Sequence, residues 1–150
     1  MICKLSHLRD VNDVRDIYRL IRQLSPNLRE RDLIIKVVVR FKEMTANEHT
    51  LILVKRDIFT NRIVGMASLI CVQKLTGFTG QIEDVVVDKR YRKQGIAKQL
   101  TLQLIEQAKE WHVKHVDLTS NPARVEANAL YLKLGFVLRG TNAYRLPLTP

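Results

Sequence analysis

A chain of 150 residues that is 46% hydrophobic and 27% charged has enough apolar material for one domain with its own core, which excludes a disordered chain and a small stapled scaffold. Six glycines and four prolines leave no low-complexity tract, and no apolar run reaches the roughly 18 residues of a membrane span. The net charge of +10 favours an anionic partner, and nucleic acid, an acidic protein, a membrane surface and a phosphorylated cofactor all satisfy that sign.

Met1 to Arg9 reads as a short strand, and it meets charge too early for the apolar region of a signal peptide, which predicts a cytoplasmic chain. Val11 to Leu24 is predicted as an amphipathic helix with Val14, Ile17, Leu20, Ile21 and Leu24 on one face and Asp10 or Asn12 as its N-cap. Ser25-Pro26-Asn27 breaks the chain. Glu30 to Thr45 is predicted as a second helix despite the β-branched Ile34-Ile35 and Val37-Val38-Val39. Thr50 to Lys55 and Ile63 to Lys74 read as strands joined by a turn at Asp57 to Arg62. A turn at Gly77 to Gly80 then leads into a third strand, Gln81 to Val87, completing an antiparallel meander. Gly95 to Trp111 is a strong amphipathic helix, with Ile96, Leu100, Leu104, Ala108 and Trp111 on one face. His115 to Thr119 is a strand, Val125 to Leu134 a helix, and Phe136 to Leu146 ends the chain in two short strands. No repeat or linker interrupts the order, so residues 1–150 are expected to form a single domain.

The chemistry concentrates in Ile82-Glu83-Asp84-Val85-Val86-Val87-Asp88-Lys89-Arg90-Tyr91-Arg92-Lys93-Gln94-Gly95-Ile96-Ala97: a buried strand, a basic turn, then a helix. A helix N-terminus offers unsatisfied N–H groups and the positive end of its dipole, and Gly95 lets a ligand approach the main chain. With Lys89, Arg90, Arg92 and Lys93 in the same turn, the segment describes a pyrophosphate site. It has neither the Gly-Lys-Ser/Thr end of a Walker loop nor the Gly-x-Gly-x-x-Gly of a dinucleotide fold.

Arg92-x-x-Gly95-x-Ala97, following a strand and opening a helix, resembles the Gln/Arg-x-x-Gly-x-Gly/Ala signature of the GNAT superfamily of acyl-CoA N-acetyltransferases. Ala127-x-x-x-Tyr131-x-Lys133-x-Gly135-Phe136 resembles that superfamily's second hallmark, and the order of elements matches over nearly the whole chain. The resemblance implies an α/β fold of the α+β mixed-sheet kind: a mostly antiparallel sheet of about six or seven strands flanked by about four helices. It implies acetyl-CoA as acetyl donor, with no metal. Backbone groups of Val85 and Val87 would pair with the pantetheine arm, and amides from Arg92, Lys93, Gln94, Gly95, Ile96 and Ala97 would surround the pyrophosphate. Asn128 is a further candidate for a cofactor contact, whereas Arg124 stands where many relatives place an Asn.

Tyr131 is expected to protonate the departing thiolate. Glu83 is the candidate general base that takes a proton from the incoming ammonium. Strand alternation would put Glu83, Val85 and Val87 on one face and Asp84 with Val86 on the other. Direct transfer in a ternary complex needs no covalent nucleophile, so Cys71 is expected to be inert. Cys3 and Cys71 lack any Cys-x-x-Cys or His-pair context and read as buried reduced thiols, and His7, His49, His112 and His115 show no ligand spacing.

The acceptor is expected to be a primary amine of a small molecule or a protein, with no membrane partner and with a homodimer open. The strand block at Ile82-Glu83-Asp84 resembles that of glucosamine-6-phosphate N-acetyltransferases. Those enzymes carry acidic residues after the next strand, however, where this chain has Thr119-Ser120-Asn121-Pro122. Two other readings compete: a basic nucleic-acid-binding module, for which interleaved aromatics, a helix-turn-helix and zinc ligands are missing, and a catalytically idle CoA-binding regulatory domain.

Overall fold

Asp10 ends the extended N-terminal chain by accepting hydrogen bonds from the N–H groups of Asn12 at 2.7 Å and Asp13 at 3.0 Å, and so starts helix α1 (Val11–Leu24). The computed structural model describes residues 1–26 and 33–148. Its other elements are β1 (Ile2–Lys4), α2 (Leu33–Ala46), β2 (Thr50–Arg56), β3 (Ile63–Lys74), β4 (Gly77–Val87), a 3-10 turn (Lys89–Tyr91), α3 (Ile96–Glu110), β5 (Val116–Leu118) and α4 (Val125–Lys133). Residues 1–119 form one compact unit, and the chain from Ser120 on forms a second. Among the described residues no helix is long and apolar enough to cross a membrane.

The first unit is a five-stranded sheet in the order β1-β2-β3-β4-β5, with β1 to β4 antiparallel and β5 parallel to β4. Both faces are covered, which is why β2 and β3 are buried almost continuously instead of alternating. Ile52, Val54, Ile63, Met66 and Val86 face α1 and α2, packing with Leu5, Ile17, Leu20, Val37 and Phe41. On the opposite face Ile96, Leu100, Leu104 and Ala108 of α3 are buried. There the approach is close enough that a Cβ on Gly65 would stand 3.0 Å from Ile96 Cγ2.

Several expectations change. β1 is shorter than Met1 to Arg9, since its ladder with β2 runs from Ile2 to Lys4 and is extended by single bonds, from the Arg56 N–H to the Met1 carbonyl at 3.1 Å and from the Leu5 N–H to the Ile52 carbonyl at 2.8 Å. The predicted turn at Gly77 to Gly80 is strand: Lys74 pairs with Gly77, so the hairpin turns on Leu75 and Thr76 alone. Glycine marks a close approach here, since a Cβ on Gly80 would meet Leu69, Val113 and Val116 side chains at 3.1 to 3.3 Å. The two strands expected within Phe136 to Leu146 do not form, so the described residues hold five strands and not six or seven. Val137, Leu138, Tyr144 and Leu146 are exposed there, and no ladder partner takes up the segment's backbone groups. The start expected for α2, Glu30 to Asp32, lies outside the described residues.

The apolar face of α1 also carries Asp13 and Asp16, at 3% and 0% exposure. Each meets a guanidinium. Arg56 donates to both oxygens of Asp13 at 2.8 Å. Asp16 accepts from Arg62 and from the Ile63 N–H, and pairs with Arg19 at 2.9 Å. Burial works against a charged Asp13, yet Arg56 and the Arg9 N–H outweigh it and hold this carboxyl below the ordinary 3.8. Asp88 is held low in the same sense against its own burial, by Arg90 and then the Arg19 charge.

A carboxyl whose folded pKa is depressed adds stability that is complete above the unfolded value and is lost as pH falls through the folded one. Thermal unfolding should therefore give a flat melting temperature above about pH 5 and a steep fall below about pH 4. Arg56→Met, which strands the Asp13 carboxylate, should cost about 3–5 kcal/mol in denaturant unfolding, and Asp13→Leu/Arg56→Met should recover most of that loss.

Candidate active site

β4 and β5 separate early. Their parallel ladder pairs Gly80 with Val116, Gln81 with Asp117 and Ile82 with Leu118, and there it stops, while β4 runs on to Val87. The strand stretch beyond the ladder is Glu83 to Val87, the segment that sequence reasoning assigned to the cofactor arm and the base.

The antiparallel side of the same stretch is irregular. Ser68 pairs with Glu83 and Met66 with Val86, so Asp84 and Val85 together stand opposite Ala67 in a β-bulge. Asp84 adopts φ +55, a conformation that Asp tolerates better than most residues. The extra residue resets the alternation. Glu83 now shares the face of Ser68 and Val86, while Val85 and Val87 lie on the α3 face with Gly65 and Ala67. The expectation that Glu83, Val85 and Val87 share a face is corrected by this bulge, and so is the expected separation of the two acids.

Both acids gather around Ser68, whose hydroxyl is buried and donates to the Glu83 carbonyl at 3.2 Å. The Glu83 carboxylate accepts from the Gln81 side chain at 3.0 Å. Burial, and then the neighbouring Glu83 charge, push Asp84 above the usual carboxylate range, while the Ser68 hydroxyl works the other way. Nothing in an apolar strand announces a bulge, but two adjacent acids inside one, the second able to take positive φ, were the available signal.

After β4, Asp88 caps the 3-10 turn by accepting from the Arg90 N–H at 3.0 Å. Arg92, Lys93, Gln94 and Gly95 are exposed, Ala97 is half-buried, and the Ile96 side chain belongs to the core. Two of the basic groups are turned back on the protein: Arg90 pairs with Asp88 at 3.1 Å, and Arg92 Nε donates to the Val87 carbonyl at 3.2 Å. Gly95 has φ +73 and is the N-cap of α3, whose first turn receives no side-chain cap. A Cβ there would meet nothing within 4 Å. The conformation demands glycine, and the space beside it is open to a ligand. The N-terminus of a 15-residue helix arranged in this way could hold an anion.

Tyr131 lies on α4 in the second unit, 7% exposed. Its ring meets Phe136 edge-on at 5.9 Å, and the turn at Gly135, φ +91, brings the Phe136 N–H to the Tyr131 carbonyl at 3.1 Å. Burial pushes the phenol above its ordinary pKa, with Arg124 pulling weakly the other way, so Tyr131 keeps its proton at neutral pH. The Asn128 side chain donates to the Asn121 carbonyl at 3.0 Å and stabilises the loop before its own helix. Cys3 and Cys71 are free thiols, Cys3 only half-buried, and burial raises the Cys71 pKa.

The family described as Acetyltransferase (GNAT) matches residues 13–136. Glucosamine 6-phosphate N-acetyltransferase 1 of Oryza sativa subsp. japonica is 30% identical over 127 residues, which is 82% of this chain and 74% of that protein. Glucosamine 6-phosphate N-acetyltransferase of Trypanosoma brucei brucei is 41% identical over 80 residues, 51% of this chain and 52% of that one. Among solved structures, glucosamine-6-phosphate N-acetyltransferase from Arabidopsis thaliana superposes with a TM-score of 0.80 at 24% identity, covering 97% of each chain. A Trypanosoma brucei acetyltransferase gives 0.77 at 28% identity over 99% of each.

Asp84→Asn keeps the shape and the tolerance of positive φ but removes the unfavourable charge. A raised folded pKa costs stability only where the group is ionised, so the variant should melt higher than wild type at pH 7, and the gain should vanish near pH 3, below the ordinary 3.8.

Proposed function

The chain belongs to the acetyltransferase (GNAT) family, and on that premise we propose how its residues share the work of moving an acetyl group from acetyl-CoA to an amine. It is an N-acetyltransferase, and its donor arrives as a thioester that the amine attacks directly. The observation that carries the reading is the uncapped N-terminus of α3 behind Gly95, reached from a strand whose β5 ladder ends at Ile82. The cradle fits a pyrophosphate: open space at Gly95, exposed Arg92, Lys93 and Gln94, and first-turn amides at Ile96 and Ala97.

In this reading the backbone of Val85 and Val87 takes the pantetheine arm along β4, and the side chains of both stay in the core. The incoming amine is mostly ammonium at neutral pH and must lose a proton before its lone pair can form the new C–N bond. Glu83 accepts that proton, directly or through water. The C–S bond breaks as the C–N bond forms, Tyr131 gives its phenolic proton to the leaving sulfur, and the second proton, shed by the acylated nitrogen, restores the phenol through water. Asn128 adds a contact beside Tyr131. Residues 1–150 make up a single N-acetyltransferase domain in this reading. Among amines we propose glucosamine 6-phosphate as the first to test, because the two relatives bear its name and the chain keeps Ile82-Glu83-Asp84.

Release of free CoA thiol should be measured against a panel of amino sugars, amino sugar phosphates, polyamines and peptide amines. Turnover with the sugar phosphate supports the assignment. Turnover with another amine alone replaces it, and no turnover with any amine, alongside tight acetyl-CoA binding, leaves a CoA-binding domain. Gly95→Asp puts a side chain and a negative charge into the cradle and forces a strained φ, so calorimetry should show acetyl-CoA affinity falling at least tenfold in a folded variant. Tyr131→Phe should leave that affinity intact while kcat falls by roughly one to three powers of ten.

A further inference from the structure

The turn that leads into α3 is held by polar contacts, among them its own Asp88 and Arg92 bonds and the Asp88 N–H to the Val64 carbonyl at 2.9 Å. Lys89, Arg90, Arg92, Lys93, Gln94 and Gly95 are all exposed, so apolar burial does not fix it, and four cations within five positions repel one another. Asp88 is the one acid between positions 85 and 105, and its side chain is 2% exposed.

Helix α1 reaches this turn from the other side of the sheet edge. Arg19 Nε stands 3.1 Å from Asp88 Oδ2, an ion contact too bent to be a hydrogen bond. The other Arg19 nitrogens fix its guanidinium, one 2.9 Å from Asp16 and one donating to the Ile63 carbonyl at 3.0 Å. One turn further along, the Gln23 side chain accepts from the Lys89 N–H at 3.0 Å. Asp16, Arg19 and Gln23 are spaced i, i+3, i+7, which puts them on one side of α1. Asp88 passes the restraint on, through its own Arg90 contacts and through the Tyr91 N–H, which donates to its carbonyl at 2.8 Å.

We propose that Arg19 and Gln23 are positioning residues for acetyl-CoA binding: they clamp the Asp88–Tyr91 turn to α1, so that the α3 amides and the exposed basic side chains converge on the pyrophosphate. The proposal rests on the reading of that turn as the pyrophosphate site. It separates cofactor affinity from the chemical step. Arg19 and Gln23 touch neither Glu83 nor Ser68, so loss of the clamp raises the Kd and KM for acetyl-CoA and leaves kcat in place.

The test uses the full-length enzyme with acetyl-CoA as titrant. Gln23→Met keeps length and loses the acceptor, and it should raise the calorimetric Kd about three- to tenfold with an unchanged melting temperature. Arg19→Met should raise it more than tenfold and also lower the melting temperature. Arg19→Lys, which keeps the charge without the fork, should fall between wild type and Arg19→Met. In both Met variants the amides of Lys89 and Tyr91 should exchange with deuterium faster, while those in the middle of α3 should not. Arg56→Met controls for general weakening: it breaks an ion pair that does not touch the turn, and below its melting temperature it should bind acetyl-CoA like wild type. Wild-type affinity in folded Arg19→Met and Gln23→Met would overturn the clamp alone, and an equal loss of affinity in Arg56→Met would reduce it to ordinary structural support. Failure of the wild type itself to bind acetyl-CoA would remove the pyrophosphate reading and the clamp together.

Discussion

A buried carboxylate must find a cation. Asp13, Asp16 and Asp88 are buried on the α1 side of the molecule, and the positions of the surrounding elements follow from that requirement. Apolar packing between α1 and the sheet is non-directional and would tolerate sliding or rotation of the helix. A two-pronged Arg56–Asp13 contact and an Asp16 shared by two arginines and a backbone N–H tolerate neither. The ionic system contributes more to specifying where α1 lies than to raising net stability, since the desolvation of its charges offsets much of the attraction.

The same system changes how the positive charge should be read. The net charge of +10 suggests a surface covered in available cations, yet Arg19, Arg56, Arg62 and Arg90 are paired with aspartates, and Arg92 is bonded to a main-chain oxygen. In the proposed cofactor reading, anion recognition at the start of α3 would therefore rest first on oriented peptide N–H groups, with side-chain charge as a field around them. Peptide groups cost nothing to order once the helix exists, whereas long side chains lose rotamer freedom on binding.

Much of this was legible in the sequence. The bounds of α1 and β3 match the expected Val11–Leu24 and Ile63–Lys74, and α3 starts one residue after Gly95, because caps, periodicity and a Gly N-cap are local signals. The exposed basic turn that opens α3 was legible for the same reason. Long-range features were not. Asp13 and Asp16 look like the polar side of an amphipathic helix until Arg56 arrives from β2 and Arg62 from the turn before β3, some forty positions away. Gly77 and Gly80 looked like a turn because glycine that admits a neighbouring side chain has the same letter as glycine that bends the chain. Phe136 to Leu146 has the composition of strands, but a strand needs an edge to pair with, and composition does not reveal one.

The bulge in β4 is one residue more than its ladder with β3 needs. If Asp84 were deleted, every residue from Val85 onward would fall into step with β3 and keep its present face: Val85 opposite Ala67, Val86 opposite Met66, Val87 opposite Gly65. Nothing in the core opposes the shorter strand, which would have a regular ladder and no residue at positive φ. A repaired sheet of this kind would be the easier one to fold. The Asp88 turn and the start of α3 would stay where they are, because Val86 and Val87 keep their present partners. What the chain would lose is the second acid beside Ser68: for this protein the irregular strand seats two carboxyls where a regular one would seat one.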